Sequence, residues 1–228
     1  MGKVRETPLQ RTARLIEFDS AFGAARLCGV DEAGRGPLAG PVSVCACVIP
    51  HAVPIVGIND SKKLSEKARE ELYDKITAVA DYCVVLIDCK TIDRVNILNA
   101  TKLGMKRAVE GLKAPPDCAV IDAVKGLDIA VPYTPVIKGD AKSYAVAAAS
   151  IIAKVTRDRY MRELDEKYPQ YGFAANKGYG TPAHIAALKA CGACPEHRQS
   201  FIKNFVGDMS VQLTFLRHDG GEDKNNVR

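Results

Sequence analysis

Asp31 and Glu32 stand side by side inside a glycine-rich stretch, Gly29-Val30-Asp31-Glu32-Ala33-Gly34-Arg35-Gly36. Residues 26–30 read as the end of an apolar strand, where acidic side chains are disfavoured. Two adjacent negative charges repel, so the pair calls for a cation. Arg35 is one candidate partner, but a lone arginine neutralises only one acid. The small, turn-prone run behind them lets a phosphate approach the backbone closely. An acid pair beside such a turn points to a metal-dependent phosphodiester enzyme. A hairpin turn that carries surface acids is the plain alternative.

Two further acids share the position of this pair. Asp122 and Asp140, like Asp31 and Glu32, sit at or just past the end of an apolar run. In an open α/β sheet such strand ends converge where sites are built. Adjacent residues of a regular strand point to opposite faces. For Asp31 and Glu32 to serve one site, the pleat is expected to end there, at Ala33-Gly34. Four oxygen donors without histidine suit Mg²⁺ or Mn²⁺ rather than zinc. Carboxylates so close do not all stay ionised without cations. Two ions about 4 Å apart are the usual arrangement for in-line phosphoryl displacement. Taken singly, Asp122 reads equally as a surface acid after a strand, and Asp140 as the N-cap of the next helix.

The elements that position these acids follow from periodicity. Strands are expected at residues 26–30, 41–49, 82–87, 118–121 and 134–137. In the second, Val42, Val44, Ala46 and Val48 alternate with Ser43, Cys45 and Cys47. Helices are expected near 15–22, over 65–80 with Ser65 as N-cap, over 96–112, from about 143 to 168, and over 182–190. The first half of the long helix, 145–153, is almost all alanine or other apolar residues, which suits close packing on a sheet. Hairpin-like strands followed by strands alternating with helices indicate a mixed α/β sheet with helices on its faces. Residues 1–25 read as a basic lead-in, 26–207 as one domain with a helical C-terminal extension, and 208–228 as a polar, disordered tail.

Bulk composition sets wider bounds. The 228 residues are 47% hydrophobic with a net charge of +5, enough for a sizeable core and compatible with a nucleic-acid partner. No apolar run reaches the roughly 18 residues of a spanning helix. Residues 1–14 lack the apolar stretch of a secretory signal, so a cytoplasmic, reducing compartment is expected. Of eight cysteines, Cys28, Cys45, Cys47, Cys83 and Cys118 fall in apolar runs, where a free thiol behaves as a small hydrophobe. Cys191 and Cys194 form a single CxxC pair followed by His197. A structural zinc site normally takes two such pairs, so none is expected.

The stretch GVDEAGRGPLAGPV at 29–42 resembles the signature of type 2 ribonuclease H, ribonuclease HII. Further blocks match in family order: DSKKLS at 60–65, the acid at Asp122, KGDAKSYAVAAASIIAKVTRD at 138–158, KGYGTPAHIAAL at 177–188 and HRQSF at 197–201. One departure is Ala123, where bacterial members commonly carry glycine after the acid; it puts the local backbone geometry in question. The type 3 enzyme has an additional N-terminal domain, and only residues 1–28 precede the signature here.

The resemblance implies a ribonuclease H fold with a five-stranded mixed sheet flanked by helices. It implies endonucleolytic cutting of the RNA strand of RNA–DNA hybrids, and cutting at single ribonucleotides in duplex DNA, with 5′-phosphate and 3′-hydroxyl ends. Asp31, Glu32, Asp122 and Asp140 would hold two divalent ions, Mn²⁺ or Mg²⁺. Gly34, Arg35 and Gly36 would present backbone groups to the 2′-hydroxyl that separates RNA from DNA. Lys62 and Lys138 would contact phosphates, helped by Lys142 and Lys177, although lysines near acids also serve as charge balance. Tyr179 would stack near the ribonucleotide–deoxyribonucleotide junction; an aromatic in a glycine loop is otherwise a core plug. His184 and His197 read as structural. A non-catalytic binding module of the same fold would tolerate loss of an acid, and all four are present. Other two-metal nucleases, such as a junction resolvase or proofreading exonuclease, lack the GRG turn paired with a downstream GYGT. No membrane partner is expected, and nothing demands more than a monomer.

Overall fold

The computed structural model describes residues 6–206; residues 1–5 and the tail expected at 208–228 lie outside the described residues. Five strands, β1 (Leu27–Ala33), β2 (Val42–Val48), β3 (Asp81–Ile87), β4 (Cys118–Asp122) and β5 (Tyr133–Val136), form one sheet in the order β3-β2-β1-β4-β5. β1–β2 and β2–β3 are antiparallel, and β1–β4 and β4–β5 are parallel. The helices among the described residues are α1 (Pro8–Ser20), α2 (Glu66–Thr77), α3 (Cys89–Val95), α4 (Ile97–Glu110), α5 (Tyr144–Lys167), α6 (Phe173–Asn176), α7 (Pro182–Cys191) and α8 (Gln199–Val206).

The alternation in β2 distributes two apolar sets, and both sides are buried. Cys45 and Cys47 join the core that contains Leu15, Ile76 and the first half of α5. Val42, Val44 and Ala46 join the core on the α4 side, with Ile92, Met105 and Val109. A strand covered on both faces reads as a continuous apolar run, which is why VSVCACV carries little polar punctuation. α5 crosses β1 at close quarters. A Cβ at Gly29 would overlap the backbone of Ala145 and Val146, so glycine on the strand and alanine on the helix are a matched pair.

The helix ends follow local chemistry. α1 starts earlier than periodicity predicts, because Thr7 and Gln10 form a capping box and Pro8 opens the helix. Ser143 caps α5, its Oγ accepting the Val146 N–H at 3.2 Å. α3 and α8 are not predicted by periodicity. α3 has seven residues and buries only Cys89 and Ile92, too short for a 3.6-residue repeat to show. α8 is held from outside: the Asp93 carboxylate accepts the N–H groups of Gln199 and Ser200 at 2.8 and 2.9 Å.

Candidate active site

The register of β1 creates the site. β1 pairs with β2 through Asp31↔Cys45, Glu32↔Val44 and Ala33↔Ser43, whereas its pairing with β4 stops at Val30↔Ile121. The pleat therefore does not end at the acids, as the sequence reading required. They are strand residues with a free edge towards β4, and the last residue of β4 is Asp122. That step of the sheet sets Asp122 beside the Asp31–Glu32 pair.

Each acid is fixed by a different device. Asp31 is buried, and its Oδ1 accepts the Glu32 N–H at 2.7 Å. Ser150 on α5 lies close enough to Asp31 to favour its charged form, and its Oγ is 2.9 Å from the Ser61 hydroxyl. Glu32 Oε1 lies 3.5 Å from Arg35 Nη1. Its Oε2 is buried without a protein partner, an orphaned acceptor of the kind a cation satisfies. Asp122 Oδ1 accepts the Gly139 N–H at 2.7 Å, which ties β4 to the turn carrying Asp140. Asp140 sits in a 3₁₀ turn, Gly139–Ala141, and is 6% exposed. It does not cap α5, since Ser143 holds that place.

The charges confirm that these groups sense one another. Burial pushes the Asp31 carboxyl well above the carboxylate range, and the Glu32 and Asp122 charges push it further. Burial also raises Glu32; Arg35 opposes the rise and Asp122 adds to it. Asp140 is raised by burial and then by the Asp60 and Asp122 charges. Lys62 faces this cluster. Burial alone would lower its ammonium pKa, but Asp140, Asp31, Asp60 and Asp122 together raise it. As the side chains stand, no three His, Cys, Asp or Glu among the described residues converge closely enough to hold one ion. The donor set is nevertheless hard oxygen throughout, with one orphaned acceptor, and fits Mg²⁺ or Mn²⁺.

Opposite the acids lies the glycine turn. Gly34 has φ +92°, and a Cβ there would collide with the Arg157 guanidinium. Two buried arginines brace this turn. Arg198 donates to the carbonyls of Arg35, Gly34 and Gly40 at 2.8, 2.6 and 3.0 Å. Arg157 donates to those of Pro41, Lys177 and Ala39 at 2.9, 2.9 and 3.0 Å. With its carbonyls engaged inward, the turn can present its N–H groups outward. Burial lowers the pKa of both arginines, that of Arg198 to about 10.

A cleft of about 290 Å³ opens beside Glu32 and the glycine turn, lined by Glu32, the 33–36 turn, Ser61, Lys62, Ser150, Lys154, Arg157 and Tyr179. The Tyr179 ring is 46% exposed at its rim, beside Gly36; it fills no core. Lys138 and Lys142 are exposed on the turn that carries Asp140, and Lys138 has left-handed φ of 56°. Lys177 lies 3.9 Å from Glu66. Sequence reasoning missed Asp60, Ser150, Lys154, Arg157 and Arg198. Asp60 opens the DSKKLS block and Arg198 lies in HRQSF, so position in a block was the available signal. The departure at Ala123 has a structural counterpart: it takes φ +50° immediately after Asp122. His184 and His197 are buried, and Nε2 of each lies 3.1 Å from the other. Both nitrogens of His197 are engaged, Nδ1 accepting the Cys194 N–H at 3.0 Å.

The comparisons with known proteins converge. The family model for Ribonuclease HII matches residues 28–204. Ribonuclease HII of Ruminiclostridium cellulolyticum is 54% identical over 202 residues, spanning 87% of this chain and 79% of that one. The Burkholderia thailandensis protein of the same name is 54% identical over 187 residues, spanning 82% and 86%. Ribonuclease H2 from Pyrococcus horikoshii superposes with a TM-score of 0.68 at 30% identity, covering 79% of this chain and 97% of that one. The chain belongs to the ribonuclease HII family and is a ribonuclease H enzyme, a metal-dependent endonuclease.

Proposed function

We propose that this enzyme cuts the RNA strand of RNA–DNA hybrids and also cuts at single ribonucleotides embedded in duplex DNA, leaving 5′-phosphate and 3′-hydroxyl ends. The observation that carries this reading is the cleft lined by Glu32, the braced GRG turn and exposed Tyr179, with Asp31 and Asp122 next to Glu32 and Asp140 next to Asp122 behind it. Asp31, Glu32, Asp122 and Asp140 are the residues that would hold two divalent ions. When bound, such ions would supply Lewis-acid chemistry, lowering the pKa of a water and stabilising charge on the leaving 3′-oxygen.

The protein's own groups do the rest. The N–H groups of Gly34, Arg35 and Gly36 meet the 2′-hydroxyl, since Arg198 has already occupied the turn's carbonyls. Gly36 leaves room for the sugar beside the Tyr179 ring, which stacks at the junction. Lys62 reaches a phosphate next to the reacting centre, and Lys138 one further along the strand. The Asp122–Gly139 bond keeps Asp140 in register with the acids of β1. We place the enzyme in the cytoplasm, acting as a monomer on nucleic acid.

The deciding experiment uses a synthetic DNA duplex with one internal ribonucleotide, a long RNA–DNA hybrid and an all-DNA duplex. Cleavage of the first two at ribonucleotides, with Mg²⁺ or Mn²⁺ and not in EDTA, is the expected result. Full activity in EDTA, or cutting of the all-DNA duplex, would overturn it.

A further inference from the structure

Tyr179 is aimed from behind by a chain of hydrogen bonds whose direction is fixed by its ends. The Tyr179 carbonyl can only accept, and His184 Nδ1 lies 2.9 Å from it; His184 therefore carries its proton on Nδ1. The Cys194 N–H can only donate, and it donates to His197 Nδ1 at 3.0 Å; neutral His197 therefore carries its proton on Nε2. Between them, His197 Nε2–H donates to His184 Nε2 at 3.1 Å. One tautomer of each ring satisfies these three contacts; the Cys194 thiol, 3.2 Å from His197 Nδ1, can donate to the same lone pair, and the Cys194 carbonyl, 3.4 Å from that nitrogen, already accepts the His197 backbone N–H at 3.0 Å. Reversing either ring sets two N–H groups against each other or leaves a buried acceptor unpaired. Both rings are at most 1% exposed and are boxed by Tyr171 and Phe173, with centroids 4.7 Å from His197 and 5.4 Å from His184.

We infer that His184 and His197 are positioning residues, a neutral, tautomer-locked pair that holds the Tyr179 peptide and so aims its exposed ring across Gly36. The inference rests on the reading of Tyr179 given above and adds what sets the ring's direction. The anchor at the far end is firm. His197 bridges to Ala39, and Arg198 N–H donates to the Leu38 carbonyl at 2.8 Å, so the relay is referred to the strand segment behind the GRG turn. The Tyr179 loop and the GRG turn are thereby set relative to one another by the 194–198 segment.

Two measurements test it. The first needs no variant: imidazole ¹⁵N shifts of the wild-type protein should show His184 protonated on Nδ1 and His197 on Nε2. Any other pair, or rapid tautomer exchange, overturns the relay. The second is steady-state kinetics on a duplex with one ribonucleotide. An Asn amide falls near the place of Nδ1 and a Gln amide near that of Nε2. H184Q should lose the bond to the Tyr179 carbonyl and raise KM about 2- to 10-fold, the range for one neutral hydrogen bond, with kcat little changed. H184N should stay within about twofold of wild type by the same reasoning. H184Q combined with Y179A should be no worse than Y179A alone, since both act through one ring. A defect in H184N equal to that in H184Q, or losses that multiply in the double variant, overturns the inference alone. A wild-type chain that cuts no ribonucleotide duplex overturns the reading of the site and the inference with it, even where the tautomers hold.

Discussion

At the scale of single residues, one substitution separates two roles for Asp140. Asparagine caps a helix about as well as aspartate, but as a metal ligand it replaces an anionic oxygen with a neutral one. Ser143 already caps α5, so Asp140→Asn should leave the melting temperature nearly unchanged. Charge stabilisation by a bound ion is worth several kcal/mol, so turnover should fall on the order of 100-fold or more, with partial recovery at higher Mn²⁺. A near-wild-type rate at low Mg²⁺ would remove Asp140 from the constellation. Ala123 poses a separate question. A left-handed φ costs a residue with a Cβ roughly 1–2 kcal/mol, whereas glycine gives back about 0.5–1 kcal/mol through the unfolded chain. Ala123→Gly should therefore raise stability by about 0.5–1 kcal/mol, or about 1–4 °C in Tm. A lower Tm would show that the Ala123 methyl makes contacts that outweigh the strain.

At the scale of elements, the sequence was most legible where periodicity and blocks coincided. β2, α4 and α5 lie close to where alternation and helical spacing put them, and Ser65 caps α2 as expected. What was not legible depended on partners distant in sequence. Nothing near Asp31 says that β4 stops pairing at Val30, and nothing near Arg157 or Arg198 says that their guanidiniums serve backbone carbonyls. Short α3 and externally held α8 escaped for the same reason. The helices of the C-terminal extension also carry a pH dependence. Burial, and then the neighbouring His184, push the His197 pKa down to about 4, and burial lowers His184. An unfolded imidazole titrates near 6.5. Between these values the unfolded chain binds the proton and the folded one excludes it. This contribution is therefore complete above about pH 6.5 and is lost as the pH falls towards 4. It should remove about 2 kcal/mol between pH 7 and pH 5. The buried carboxylates, with raised pKa values, slope the other way, so the measurement is a difference: urea unfolding of wild type and His197→Gln at both pH values. An acid-dependent loss as large in the variant would assign the effect elsewhere.

At the scale of the whole molecule, α1 belongs to the same core as the sheet. Leu15 is fully buried, and Asp19 accepts the Ala145 N–H at 2.9 Å at the start of α5. Leu15→Ala should destabilise the entire fold by about 2–5 kcal/mol, seen as one shifted transition in chemical denaturation. A separate early transition, with the main one unmoved, would show that α1 docks independently. No helix of the described residues is long and apolar enough to cross a membrane. The site is assembled from β1, the end of β4 and the turn after β5, so it exists only once both parallel pairings have formed.

All eight cysteines are free, and seven of them are buried or half-buried; only Cys191 is exposed. Burial raises the Cys28 and Cys194 thiols to about 12 and pushes Cys45 and Cys47 up as well. Since the thiolate is the reactive form, the folded chain is a set of silent labels. A brief pulse of alkylating reagent should add one adduct, at Cys191, read by intact mass. The remaining thiols should react only as the strands that hold them open. Cys45 and Cys47 lie on β2, beside the strand that carries Asp31 and Glu32, so their labelling would time the opening of the frame that holds the two acids without any probe being introduced.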